Sequence, residues 1–209
     1  MGSNYTVQQG DHLSKIAKEF GFPDYHRIWD APENADLRKL RDNPHVLFPG
    51  DVIFVPDLEM RTESRATDAL HSFTVKKKTL HLRIIAENYD FEPLATTPCQ
   101  LQVEFENTDL TTDGAGLIDL EIKNDAENGT LRISGAEIPL KIGHLDPVTE
   151  ITGQRARLNS LGYNAGPVDK DSPEQFRSAV EEFQCDHKLT VDGICGPATQ
   201  AKLKAVHGS

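Results

Sequence analysis

Hydrophobic and polar positions along the chain fall into three regimes. In the first, a short β-prone run, Tyr5-Thr6-Val7, stops at Gly10-Asp11 and gives way to helical spacing. Leu13, Ile16, Ala17 and Phe20 recur at i, i+3, i+4 and i+7, one apolar helical face. Asp11 is placed to cap that helix, because a carboxylate there accepts from free backbone N–H groups. Gly21 ends it. Pro23-Asp24 opens a second helix carrying Ile28 and Trp29, Pro32 interrupts it, and Ala35–Arg41 allows another turn or two. Pro49-Gly50-Asp51 is a turn, and Val52–Val55 is a strand closed by Pro56. The order strand, helix, helix, strand predicts two paired strands with the helices on one face.

Residues 59–72 are polar, charged and aperiodic, and are expected to form a linker. Period-two patterns follow over residues 73–146. Candidate strands are Ser72–Lys76, Leu80–Ala86, Gln100–Glu106, Gly116–Ile122, Leu131–Ser134 and Glu137–Ile142, with turns at Asn88-Tyr89-Asp90, Asp113-Gly114 and Asn128-Gly129. Short strands at this spacing predict a small β-sandwich. Leu117, Asp119 and Glu121 alternate with Ile118, Leu120 and Ile122, which gives one wet and one buried face.

Helical spacing returns over residues 147–209. Ile151, Leu158 and Leu161 lie near one face of a helix that ends at Gly162. Ser172-Pro173-Glu174-Gln175 reads as a helix start, with Ser172 as N-cap, Pro173 at the first position and Gln175 completing a capping box. Phe176, Ala179, Val180 and Phe183 form its apolar stripe. After the turn Asp192-Gly193, Gly196-Pro197 opens a third helix with Ala201 and Leu203. The fold class expected for the whole chain is therefore multidomain α+β.

Charge narrows the partners. With 22 basic and 33 acidic residues the net charge is −11, which argues against wrapping nucleic acid. No run approaches the ~18 apolar residues of a membrane helix, so membrane insertion is not expected. The N-terminus lacks the basic, apolar and small-residue pattern of a secretory signal. Cys99, Cys185 and Cys195 are too few for a disulfide scaffold; Cys185 and Cys195 flank the Asp192-Gly193 turn and are compatible with a bridge or with two reduced thiols. Asp109, Asp113 and Asp119 do not have the spacing of an EF-hand loop, and no metal or cofactor is expected.

The stretches YTVQQGDHLSKIAKEFG and LFPGDVIFVP resemble the LysM family, through Tyr5, Val7, Gly10, Asp11, Leu13, Ile16, Ala17, Phe20, Leu47, Pro49, Gly50, Asp51, Ile53 and Pro56. The stretch before the last strand is longer than in a minimal LysM, with Asn34 marking its middle. The resemblance implies a βααβ domain over residues 1–58 that binds N-acetylglucosamine-containing glycans. Its shallow groove would lie between Gly10, Asp11, His12, Leu13 and Val46, Leu47, Phe48, Pro49, Gly50. Loop backbone groups would hydrogen-bond the acetamide, and Leu13 or Phe48 would cover its methyl group. Each residue also has a purely architectural reading: Gly10 and Pro49-Gly50 for backbone geometry, Asp11 as a cap, Trp29 as core. His12 departs from the family's usual Thr or Ser, and is read as a ligand contact or a solvated side chain.

Residues 147–209 resemble the peptidoglycan-binding-like three-helix domain, through Gln154, Leu158, Leu161, Gly162, Tyr163, Gly166, Val168, Asp169, Ala179, Val180, Phe183, Gln184, Leu189, Asp192, Gly193, Gly196, Thr199 and Leu203. Tyr163, Asp192 and Gly193 are its candidate contacts, although most matched positions read as fold residues. Lys170–Phe176 departs from the family pattern. TTDGAGLIDLEI in the middle segment resembles the turn-and-strand signature of transthyretin-like and carboxypeptidase-regulatory-like sandwiches, and the fold expected for that segment is a small transthyretin-like or immunoglobulin-like β-sandwich. Neither an H-E-x-x-H set nor a G-x-S-x-G elbow is present, and the cysteines lack nucleophile contexts. The expectation is a non-catalytic adaptor whose partners are peptidoglycan glycan strands. Wall modules ahead of a small β unit also resemble proteins associated with type VI secretion, which adds a spike or effector of such a machine as a partner. The alternatives are a structural connector of a contractile particle without sugar binding, and an enzyme with an unrecognised site.

Overall fold

A computed structural model describes residues 2–59, 62, 64–72 and 79–209. The expected strand Ser72–Lys76 lies largely outside them. The N-terminal module pairs β1 (Ser3–Thr6) antiparallel with β2 (Val52–Val55), Ser3 opposite Val55. Between them run α1 (Leu13–Glu19), α2 (His26–Trp29), a 3-10 turn (Pro32–Asn34) and α3 (Ala35–Leu40). Leu13, Ile16 and Ala17 bury the predicted helical face against Val7, Phe22, Ile28, Leu47, Ile53 and Val55.

The cap differs from expectation. His12 occupies the N-cap position, and its side chain makes no capping bond. Asp11 instead closes the preceding loop: its Oδ2 accepts from the Tyr5 hydroxyl at 2.7 Å and from the Gln8 amide at 2.9 Å. The Leu13 amide, without an intrahelical partner at the helix start, donates to the Pro44 carbonyl at 3.2 Å and ties the first predicted groove loop to the stretch just ahead of the second.

The middle module has two antiparallel sheets over one core. β3 (Leu80–Ile85) pairs with β6 (Leu117–Ile122). The second sheet has the order β5-β4-β7-β8, formed by β4 (Pro98–Val103), β5 (Glu106–Thr111), β7 (Asn128–Ile133) and β8 (Ala136–Lys141). Ala86, Ile118 and Ile122 meet Cys99, Leu101, Val103, Leu131 and Ile133 in a single cluster. Two expectations are corrected. Gln100–Glu106 is not one strand: the chain turns at Glu104-Phe105 and returns as β5. Glu104 has a left-handed φ of 51°, and its carboxylate accepts the amides of Glu127 and Asn128 at 2.8 and 2.9 Å, which fixes a turn that no glycine or asparagine announces. Asn128-Gly129 is not a turn but the start of β7. A Cβ on Gly129 would lie 2.9 Å from the Gln102 carbonyl oxygen, so close strand approach explains the glycine. The hairpin turn is Ser134-Gly135, both with positive φ as a type I′ turn requires.

The C-terminal module comprises α4 (Ile151–Ser160), α5 (Pro173–Asp186) and α6 (Pro197–His207) around Leu158, Tyr163, Ala165, Ala179, Val180, Phe183 and Leu203. The expected capping box does not form. Ser172 is the N-cap residue, but its Oγ is buried without a partner, packed against Gly166. Arg157 is fully buried and donates to the carbonyls of Asp146 and Gly153 at 2.8 Å and of Ser209 at 3.0 Å. Burial pushes its guanidinium down to about 10, so it remains charged at neutral pH. All three cysteines are free thiols.

Among the described residues three ion pairs cross between modules. Lys15 meets Glu127 at 2.7 Å and Lys18 meets Asp125 at 2.5 Å, joining α1 to the loop before β7, while Lys204 of α6 meets Asp42. Phe91 of the middle module stacks on Tyr163, ring centroids 6.2 Å apart.

Candidate glycan groove

The predicted groove loops are neighbours, but they do not face solvent as a sugar site would. Gly10, Asp11, His12 and Leu13 are buried, as are Val46 and Leu47; Phe48 and Pro49 are half-buried and Gly50 is exposed. Leu13 and Leu47 point into the core of the N-terminal module, so neither is free to cover an acetamide methyl. Phe48 carries the Arg41 guanidinium 5.8 Å above its ring. Arg41 in turn makes a buried two-toothed pair with Asp51, at 2.8 and 3.0 Å, and Asp51 accepts the Phe48 amide at 2.9 Å. The second loop is thereby held in one shape.

His12, read from sequence as a ligand contact or a solvated side chain, is only 2% exposed. Neither ring nitrogen has a hydrogen-bond partner, and the Nδ1 of His45, whose ring lies 5.8 Å away, has none either. The covering segment is the turn that follows β8. A Cβ on Gly143 would lie 2.9 Å from both the Gly10 carbonyl oxygen and His12 Cδ2. The His144 ring packs on Gly10, whose own Cβ would sit 2.9 Å from Nε2.

This burial has an electrostatic signature. Desolvation, with His45 and Lys15 adding to it, pushes the His12 imidazole down to about 4 against the opposing pull of Asp11 and Glu127. A base whose proton affinity falls on burial is neutral in both arrangements above its ordinary value near 6.5, where protonation adds no cost to burial. As pH falls from there toward about 4, proton uptake favours the exposed imidazole and the buried arrangement loses ground. Between pH 7.5 and 5 the buried arrangement is therefore expected to weaken by about 2 kcal/mol. Amide exchange at Gly10–Leu13, corrected for its intrinsic pH dependence, checks this; unchanged protection at pH 5 would count against it.

The candidate contacts in the C-terminal module sit at structural posts. Tyr163 is buried between Phe91 and Phe183, with its hydroxyl donating to Asp186 at 3.0 Å, which leaves no ring face for a ligand. Asp192 accepts from Gln184 Nε2 at 2.8 Å and from the Ile194 amide at 2.9 Å. The amides of Asp192 and Gly193 both donate to Gln184 Oε1 at 3.0 Å. Gln184, 1% exposed, is thus the organiser of that loop. Sequence reading matched Gln184 to the family without assigning it this role. It missed His45 and the Gly143-His144 cover altogether; the His12 departure was the one signal pointing there. Among the described residues no group of three or more His, Cys, Asp or Glu side chains could hold a metal ion.

Comparison with known proteins agrees with this domain content. The family model described as "Putative peptidoglycan binding domain" matches residues 151–203, and the LysM domain model matches residues 5–24. The chain thus carries a LysM domain at one end and a peptidoglycan-binding domain at the other. It is also similar to CwlM, an N-acetylmuramoyl-L-alanine amidase of Mycobacterium tuberculosis, with 37% identity over 54 residues, or 26% of this chain and 13% of that relative. The chain therefore spans a small part of the relative's length. No solved structure matches the chain significantly.

Proposed function

We propose that the chain is a non-catalytic peptidoglycan-binding adaptor that brings a partner to the bacterial cell wall. The observation that carries this is the pairing of a LysM domain with a peptidoglycan-binding domain on one chain. If both bind, the second event is intramolecular and gains from an effective concentration in the ~mM range. Residues Gly10–Leu13 and Val46–Gly50 are the glycan-contact candidates at the N-terminal end. The amidase relative does not extend its activity to this reading, since the match covers 13% of that relative and neither an H-E-x-x-H set nor a G-x-S-x-G elbow accompanies the two binding domains.

Co-sedimentation of the full chain with purified sacculi tests it. The protein is expected in the pellet, with no soluble muropeptides released, with or without added zinc. Protein left wholly in the supernatant removes the binding reading. Muropeptide release abolished by a single carboxylate substitution removes the non-catalytic one.

A second reading is favoured by the burial of the LysM groove: a connector of a contractile injection machine that uses its LysM scaffold without sugar. The middle sandwich, with its resemblance to transthyretin-like domains, would then dock on a spike or effector. Equal extracellular amounts of the protein from cells with and without the machine's sheath, in the absence of lysis, would refute this route.

A further inference from the structure

We infer that the turn Gly143–Asp146 is a latch that holds the LysM groove shut, and that glycan reaches Gly10–Leu13 only after the modules part. This rests on the glycan-binding reading above and adds its regulation. Three observations carry it.

The first is occlusion. The latch backbone lies against Gly10 and His12 so closely that not even a Cβ fits at Gly143, and His144 fills the space over Gly10. An acetamido sugar needs those same loop backbone groups, and cannot share them with the latch.

The second is that the latch is not welded down by apolar packing. Among the described residues the three hydrophobic cores share no member: one spans Tyr5 to Val55, one Leu80 to Ile142 and one Val148 to Leu203. Besides the latch itself, the described contacts between modules are three ion pairs at half-buried or exposed side chains, individually weak, and one aromatic stack, Phe91 on Tyr163. Interfaces of this kind permit relative motion of domains.

The third is that closure leaves polar groups uncompensated. His12 Nδ1 and Nε2 and His45 Nδ1 are buried without a partner in the closed arrangement. The two His12 nitrogens, which the latch covers, would regain water or a ligand on opening, so closure works against a standing desolvation penalty there. The charged and titratable groups around His12 are Asp11 and Lys15 from its own stretch, His45 from the facing loop and Glu127 from the middle module.

A wedge variant tests the latch in the full-length chain. Gly143 has a φ of +78°, a conformation asparagine tolerates. Gly143→Asn keeps the turn, yet drives a side chain into Gly10 and His12. The probe is the N-acetylglucosamine hexamer, titrated at pH 7.5 with backbone amide shifts as readout. The apparent affinity of a site scales with its open fraction. The variant is expected to bind about tenfold or more tightly than the wild type, with shifts at Gly10–Leu13 and Val46–Gly50 and faster amide exchange at Gly10–Leu13. A second variant, Lys18→Glu with Lys204→Glu, removes two intermodule ion pairs away from the groove and is expected to move both readouts the same way. Equal hexamer affinity and equal exchange in the wild type and both variants overturn the latch and leave glycan binding standing. Fast exchange at Gly10–Leu13 in a folded variant that shows no hexamer shifts overturns the latch as a gate, together with the LysM glycan reading.

Discussion

Phe183→Ala is expected to unfold the C-terminal module while the N-terminal one persists. Phe183 is fully buried in α5, packed with Leu158, Val180 and Leu203. Its ring meets Tyr163 edge-on, at 5.5 Å between centroids and 83° between planes. Truncating a buried phenylalanine costs about 3–5 kcal/mol, part lost transfer energy and part cavity. A module of about sixty residues has a total stability on the order of 3–9 kcal/mol, so one substitution removes most of it. Loss of amide protection across α4–α6, with α1 and β2 still protected, is the expected result. An unchanged urea midpoint for the α5 amides would contradict it.

Asn34→Ala is expected to cost the N-terminal module about 3 kcal/mol. The Asn34 side chain is 2% exposed, and makes three hydrogen bonds of 2.8 Å each: Nδ2 donates to the carbonyls of Ile28 and Phe54, and Oδ1 accepts the Phe54 amide. The amide group acts as a one-residue strand beside β2. Its removal leaves the Phe54 N–H and C=O unpaired, each with a desolvation penalty of about 1–3 kcal/mol, partly relieved by water, while the Ile28 carbonyl keeps the Ala31 amide at 3.2 Å. Thermal unfolding followed on the N-terminal module checks this. Asn34→Asp separates the causes, because it keeps an acceptor for the Phe54 amide and loses both donors. A drop smaller than about 1 kcal/mol in Asn34→Ala would mean that water replaces the side chain.

The helices and most strands were legible because their periodicity is strong. Leu13-Ile16-Ala17 and Ala179-Val180-Phe183 each mark one face, and Ile118 and Ile122 turn inward as the alternation of β6 predicts. Where reading failed, a tertiary partner had replaced a local one. Asp11 serves Tyr5 and Gln8 rather than the helix start. Glu104 turns a hairpin with help from amides more than twenty residues away, so the β4–β5 break carries no local mark. The groove loops were named as a pair through the LysM resemblance, which Gly10 and Pro49-Gly50 help to carry. The cover over Gly10 and His12 was invisible, because it comes from Gly143 and His144, over 130 residues further along the chain. No periodicity encodes a contact between modules.

Cores that share no member among the described residues also mean that stability has no single value for this chain. Each module has its own unfolding equilibrium, and any probe reports the one it sits in. Trp29, the sole tryptophan, packs against the N-terminal core. Its fluorescence follows that module alone, so the C-terminal helices could melt completely while the tryptophan signal stayed flat.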